Sequence, residues 1–220
     1  MISDSSANLN LNDPDVQLML AVQQDDASAF EELMLRYQGR VLSLLRHIVG
    51  NRDQAEDLTQ EVFLRVYRAR KTYKPGAKFA TWIFTIANNV ALNALRSRQR
   101  KPEVQLGVSQ NDASRSDSVL LAEDTILASS GAIPARQMDK LEMRQMVRLA
   151  VEALGERQRT AVLLHKFEGM SYIDIAQIMD MTPQGVKSLL CRARLNLRDI
   201  LQGYVQKGKS VEIDDLPRID

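Results

Sequence analysis

A chain of 220 residues with 45% apolar and 26% charged side chains has ordinary globular composition and room for one large or two small domains. It excludes a collagenous or wholly disordered chain, no apolar run nears the ~20 residues that cross a bilayer, and nothing near Met1 resembles a secretion signal. The lone Cys191 and the widely separated His47 and His165 exclude an intrachain disulfide and a histidine metal motif, so a reducing cytoplasm and no cofactor are expected. The net charge of +1 hides strong segregation along the chain.

The first 29 residues hold five acids and no Lys or Arg. Within them Asp13-Pro14 reads as an N-cap followed by a helix-starting proline, so residues 1–24 form an acidic extension with a short helix. Residues 30–102 then carry 14 basic against 6 acidic side chains. A helix is predicted over 27–49, ending at Gly50-Asn51. Asp53 and Glu56 have capping-box spacing and open another over 53–71. On it Asp57, Glu61, Arg65 and Arg68 make a charged face beside Gln60, while Leu58, Val62 and Val66 point elsewhere.

Pro75-Gly76 makes a turn, and a helix over 78–100 stops at Pro102. Tyr73, Phe79 and Trp82 flank that turn among Lys71, Lys74 and Lys78. Rings among ammonium groups suit unstacked bases and their phosphates. Further along, Thr85, Asn89, Asn93, Arg96 and Arg100 make one polar stripe. Asparagine is a poor mid-helix residue, and Asn88, Asn89 and Asn93 share this helix. An amide can read a base edge; the other reading of each is an amide bonded inside the bundle.

Residues 103–135 hold six serines, an acidic balance and no aromatic residue, the composition of a flexible linker. Its apolar piece, Val119-Leu120-Leu121 to Ile126-Leu127, is a candidate transient helix. Helices resume over 137–154, 156–167, 172–180 and 183–202, the third capped by Ser171 with Asp174 and the last by Thr182, with Gly203 after its end. No Val/Ile alternation suggests a strand. The fold class is all-α: two small helical domains (25–102 and 136–203) joined by the acidic linker, then a tail (204–220).

Helix, tight turn at Met181-Thr182, longer helix is the order of a DNA-binding helix-turn-helix. Val186, Leu190, Ala193 and Leu197 give its second helix one apolar face. Gln184, Lys187, Ser188, Cys191, Arg192, Arg194 and Arg198 fall on the other. The first of these can reach base edges and the arginines phosphates. A helical hairpin with a solvated basic face is the alternative.

Three stretches together resemble a bacterial sigma factor of the extracytoplasmic-function group: DDASAFEELMLRYQGRVLSLLRHIVGNRDQAEDLTQEVFLRVYRA, KFATWIFTIANNVALNALRSRQRK and GMSYIDIAQIMDMTPQGVKSLLCRARLNL. The resemblance implies a non-enzymatic promoter-recognition subunit whose partners are core RNA polymerase, promoter DNA and an anti-sigma protein, with no insertion in membrane. By similarity, Asp57, Gln60 and Glu61 dock on the polymerase. Tyr73, Lys74, Lys78, Phe79, Trp82, Asn88, Asn89, Asn93, Arg96 and Arg100 capture and open the minus-ten element. Thr182, Pro183, Gln184, Gly185, Lys187, Ser188, Arg192 and Arg194 read the minus-thirty-five element. Family recognition helices often carry a Gly-Thr-Val-Arg/Lys-Ser-Arg run; here Gln184-Gly185-Val186-Lys187-Ser188-Leu189 lacks the threonine and one arginine. A self-standing dimeric helix-turn-helix regulator is the competing reading. An enzyme ranks behind both, because no nucleophile–base pair or glycine-rich phosphate loop appears.

Overall fold

The computed structural model describes the backbone of residues 11–100 and 134–207 and the side chains of 11–98 and 143–202. Asp13 caps α1 (Pro14–Gln23), its carboxylate accepting from the Asp15 N–H at 3.0 Å, and Pro14 occupies the first turn as predicted. Asp26 caps α2 (Ala27–Val49) through the N–H groups of Ser28 and Ala29. Gly50 ends it in the left-handed region, φ +72°, where a residue without Cβ is unstrained.

The cap of α3 (Arg52–Ala69) differs from the expected one. Asn51, not Asp53, takes that position, its Oδ1 accepting from the Gln54 N–H at 2.8 Å. Asp53 then lies in the first turn, where a carboxylate favours the positive end of the helix dipole. A short 3-10 turn (Arg70–Thr72) leads to the loop before α4 (Phe79–Arg100). In α4, Phe79, Ile83, Phe84, Ala87, Val90 and Ala91 are buried at helical spacing. Each large one contributes about 1.5–3 kcal/mol relative to exposure. Tyr37 of α2 lies edge-on to Phe79 (centroids 5.1 Å apart) and Phe84 (6.4 Å), and its hydroxyl donates to Asp15 at 2.6 Å. Thus α1 is tied to the bundle formed by α2, α3 and α4.

The second lobe comprises α5 (Pro134–Glu152), α6 (Glu156–Lys166), α7 (Tyr172–Ile178) and α8 (Pro183–Lys207). Ser171 and Asp174 form the predicted capping box of α7. Two boundaries differ. Helix α5 starts inside the segment read as linker, with Pro134 at its first position, and α8 continues through Gly203. A helical glycine costs about 1 kcal/mol against alanine, which weakens a helix without stopping it. Val186, Leu190 and Ala193 of α8 are buried as expected, joined by Leu189. The chain is all-α, with no strand among the described residues. The remaining linker, including 119–127, and the tail after Lys207 lie outside them.

The lobes do not stand apart. Helix α2 packs on α6 and α4 on α7, and one apolar core runs through both lobes.

Candidate nucleic-acid interface

The turn into α8 is built for exposure. Asp180 takes the left-handed region, φ +51°, which aspartate tolerates better than most side chains. The Met181 N–H closes the turn on the Ala176 carbonyl at 2.9 Å. Thr182 caps α8, its Oγ1 accepting from the Gly185 N–H at 3.1 Å. A Cβ at Gly185 would stand 3.2 Å from that oxygen, so glycine keeps the cap unstrained. Thr182, Pro183, Gln184, Lys187, Ser188, Cys191, Arg192, Arg194 and Arg198 are all exposed, and Gly185 is half-buried. Ser188 donates its hydroxyl to the Gln184 carbonyl at 3.0 Å, leaving its lone pairs outward.

The loop and α4 sort the other candidates into two groups. Lys74, Lys78, Asn89, Asn93 and Arg96 are exposed, and Trp82 is half-buried. Tyr73, Phe79 and Asn88 are not surface groups: they are 5%, 0% and 5% exposed. The physical reason is core packing around Trp82, whose ring lies 4.8 Å from Tyr73 and 5.8 Å from Phe79. Of the aromatics flanking the turn, Trp82 alone keeps an open face. Burial, then the charge of Asp13, pushes the Tyr73 hydroxyl up to about 12. That hydroxyl has no hydrogen-bond partner among the described residues. Asn88 follows the in-bundle reading: its Nδ2 donates to the Ile178 carbonyl at 3.2 Å, both groups being buried. Thr85 donates to the Thr81 carbonyl at 2.7 Å. Arg100 closes α4, its side chain outside the described residues.

Ile178 belongs to α7, so Asn88 marks a seam between the lobes. Along it, Thr81 Oγ1 donates to Asp174 Oδ1 at 3.0 Å, and Lys78 Nζ stands 3.8 Å from Asp174 Oδ2. Burial would raise the Asp174 carboxyl, but bonds from Ser171 and Thr81 and the charge of Lys78 outweigh it and hold the group below its ordinary value. Further along, Arg40 meets Glu168 through Nη2 at 2.6 Å and Nε at 2.7 Å. Arg159 donates to the His47 carbonyl at 2.8 Å. Burial lowers the His47 imidazole, which faces Glu152, Arg148 and Arg159 from the second lobe and Arg46 from its own helix. Where the loop meets the helix-turn-helix, Gly76, Lys78, Ile173, Asp174, Met181 and Pro183 line an open groove of about 590 Å³.

Sequence reasoning missed Arg40, Thr81 and Glu168, and saw Asp174 only as a cap. Their partners lie 93 or 128 positions away, and no local pattern marks such pairs. On α3, of the residues expected to dock on a partner, Asp57 and Gln60 are exposed, while Glu61 is half-buried and bonded to Arg65 at 2.7 Å. Leu64, one turn further on, is 50% exposed and gives that charged face an apolar centre. Among the described residues no cluster of His, Cys, Asp or Glu could hold a metal, and no helix is long and apolar enough to cross a membrane.

Comparison with known proteins covers both lobes. A family model described as Sigma-70 region 2 matches residues 33–101, and one described as Sigma-70, region 4 matches 144–197. The RNA polymerase sigma-H factor of Pseudomonas aeruginosa is 35% identical over 194 residues, covering 88% of this chain and 97% of that protein. The ECF RNA polymerase sigma-E factor of Escherichia coli is 33% identical over 198 residues, covering 88% and 97%. Among solved structures, the sigma factor RpoE in complex with the anti-sigma factor NepR from Bartonella quintana matches at a TM-score of 0.57 and 25% identity, covering 79% of this chain and 96% of that one. CnrH in complex with the cytosolic domain of CnrY matches in fold, at a TM-score of 0.59 and 18% identity, covering 86% and 97%.

Proposed function

The chain belongs to the sigma-70 family of RNA polymerase sigma factors, extracytoplasmic-function group, and from that membership we propose how its surfaces divide the work of promoter recognition. The first lobe, 25–102, docks on core polymerase through Asp57, Gln60 and Glu61 around Leu64. Its basic loop and α4 stripe then take the opened minus-ten element. Trp82 offers the stacking face, Asn89 and Asn93 the base-edge amides, and Lys74, Lys78, Arg96 and Arg100 the phosphate contacts. Tyr73 and Phe79 act from beneath, as the packed floor that fixes Trp82. The second lobe, 136–203, enters the major groove of the minus-thirty-five element with Gln184, Lys187 and Ser188 at base edges and Arg192 and Arg194 on phosphates. The acidic segment from 103 up to the start of α5 at Pro134 connects them and avoids DNA. The chain works in the cytoplasm without catalysis of its own, and an anti-sigma protein is its expected partner, as RpoE is found in complex with the anti-sigma factor NepR.

The observation that carries this reading is the pair of exposed basic surfaces, Lys74, Lys78, Asn89, Asn93 and Arg96 on the first lobe and Gln184, Lys187, Arg192 and Arg194 on the second; the seam between the lobes sets how they must move. Positions minus-ten and minus-thirty-five differ by about 25 base pairs, on the order of 85 Å of duplex at about 3.4 Å per pair. Here Lys78 and Thr81 on the minus-ten side touch Asp174 of the helix-turn-helix within hydrogen-bonding and ion-pair range. Both elements cannot be read in this closed form. Promoter binding therefore requires the lobes to part, and contacts with polymerase compensate the lost seam. Parting also frees Asn88 from Ile178 and returns its amide to the α4 surface.

The competing reading, a dimeric regulator, has no support in the comparisons, whose matches over both lobes are to sigma factors. The test is co-purification with core polymerase: the wild-type chain binds, and Asp57→Ala with Gln60→Ala weakens binding at unchanged helicity. Undiminished capture of the double variant overturns the docking face, and no capture of the wild-type chain overturns the reading.

A further inference from the structure

The acidic N-terminal helix has no part in the division of labour above, yet its end is bonded to the loop that meets the minus-ten strand. We infer that Gln23 and Asp25 are positioning residues for promoter opening: they fix the melting loop from behind, without touching DNA. This rests on the sigma-factor reading and goes beyond it by assigning the helix before the α2–α4 bundle a role at the loop.

The bonding is reciprocal. Gln23 Nε2 donates to the carbonyl of Tyr73 at 3.2 Å and to that of Lys71 at 3.3 Å. In return Lys71 Nζ donates to the Gln23 carbonyl at 2.8 Å. Asp25 completes the join, accepting from Lys71 Nζ at 2.5 Å and Arg70 Nε at 3.1 Å. Those bonds, Lys71 and Arg70 in turn, hold its carboxyl below the usual range. Asp25 can face the loop because α1 ends tightly. Its φ is +67°, and the N–H groups of Gln24 and Asp25 close on Ala21 and Val22 at 2.9 Å. Met19 and Val22, 0% and 1% exposed, anchor that end in the core.

The loop needs such a brace. Between the Tyr73 N–H, bonded back to Arg70 at 3.3 Å, and the Lys78 carbonyl, which takes the Trp82 N–H at 3.2 Å, the one backbone bond among the described residues is Gly76 N–H to the Lys74 carbonyl at 2.7 Å. The far end is fixed by Phe79, wholly buried. The near end is Tyr73, whose hydroxyl has no partner among the described residues, so the ring is set by packing on Trp82; its N–H bonds the Arg70 carbonyl, and its carbonyl is held by Gln23. Moving the Tyr73 carbonyl moves Trp82's neighbour and the ammonium groups of Lys74 and Lys78 together. Once the lobes have parted, a displacement of that kind leaves α8 and the α3 docking face in place.

The isosteric Gln23→Glu separates this role from simple stability. It keeps the side-chain shape and the backbone acceptor for Lys71, but a carboxylate cannot donate and opposes the two carbonyls. Asp25→Asn is the second variant, since asparagine tolerates the same left-handed backbone and removes the charge. The assay uses holoenzyme reconstituted with the full chain on a promoter obtained by selection with the wild-type holoenzyme. It reads permanganate reactivity of the bubble, affinity for the single-stranded minus-ten strand of that promoter, and affinity for its minus-thirty-five duplex. Both variants are expected to lower bubble reactivity and single-strand affinity about fivefold, of the size of one lost hydrogen bond. Duplex affinity and polymerase binding stay within twofold. Unchanged bubble reactivity in both variants overturns the inference, as does an equal fall in single-strand and duplex affinity. If the wild-type holoenzyme itself opens no promoter, it is the sigma-factor reading that fails.

Discussion

The seam between the lobes yields a quantitative prediction at Glu168. Its side chain is 10% exposed and takes two nitrogens of Arg40, at 2.6 and 2.7 Å, while Arg40 is 40% exposed. Exposed ion pairs contribute about 0.2–1 kcal/mol, and hydrogen bonds to charged groups about 1.5–3 kcal/mol. With one partner largely dry and the other in water, Glu168→Gln removes about 1 kcal/mol from the closed form. The ratio of closed to open chains then falls about fivefold. The measurement is single-molecule energy transfer in a Cys191→Ser background, with dyes on Glu31→Cys in α2 and Arg198→Cys in α8. Arg40→Glu opens the chain further by setting two carboxylates together. Adding Glu168→Arg to it recovers part of the closed population. Recovery is incomplete because the guanidinium of Arg40 also stacks over Tyr37, 4.7 Å from the ring centroid, and 5.5 Å from that of Phe84. If neither single variant changes the closed population and the swapped pair behaves like Arg40→Glu alone, the seam does not hold the lobes together.

The same distances should respond to pH through His47. Its folded pKa is depressed, so the closed form is favoured fully above the ordinary value of 6.5 and loses that advantage as pH falls below it. Opening between pH 7.5 and 5.5 that disappears in His47→Gln is the expected result; a flat profile contradicts it. Asn51→Ala removes the cap of α3 and should cost about 1 kcal/mol, read as a lower melting temperature with promoter preference intact. Lys187→Ala should weaken the minus-thirty-five duplex selectively, and equal loss on a scrambled duplex would mark Lys187 as a phosphate contact instead.

How much of this was legible beforehand differs by the range of the interaction. Caps at Asp13, Ser171 and Thr182 and the apolar face of α8 follow from neighbouring residues, and the sequence pattern locates them. Asn51 was overlooked because Asp53 with Glu56 presents the same box spacing two residues later, and only backbone dihedrals distinguish the two. Gly203 reads as a stop, yet a helix already packed along α5 and α6 absorbs one glycine. The outward side of α8 was legible for the same reason as its core side: one helical period fixes both. The minus-ten candidates were less separable. Aromatic and asparagine side chains serve cores and nucleic acids alike: Tyr73 and Phe79 separate from Trp82 only through packing within the first lobe, and Asn88 from Asn89 and Asn93 only through its bond to Ile178 of α7. Contacts such as Arg40 with Glu168 or Gln23 with Tyr73 depend on how distant helices meet, which no local pattern encodes.

The central claim is that one chain reads two separated promoter elements while mounted on polymerase. Run-off transcription by purified core polymerase, with and without the chain, on templates that vary the spacing between the two selected elements tests it directly. Initiation is expected to depend on the chain, to peak at one spacing and to be lost when either element is scrambled. Initiation indifferent to the chain, or protection of a symmetric site by the chain without polymerase, would contradict it.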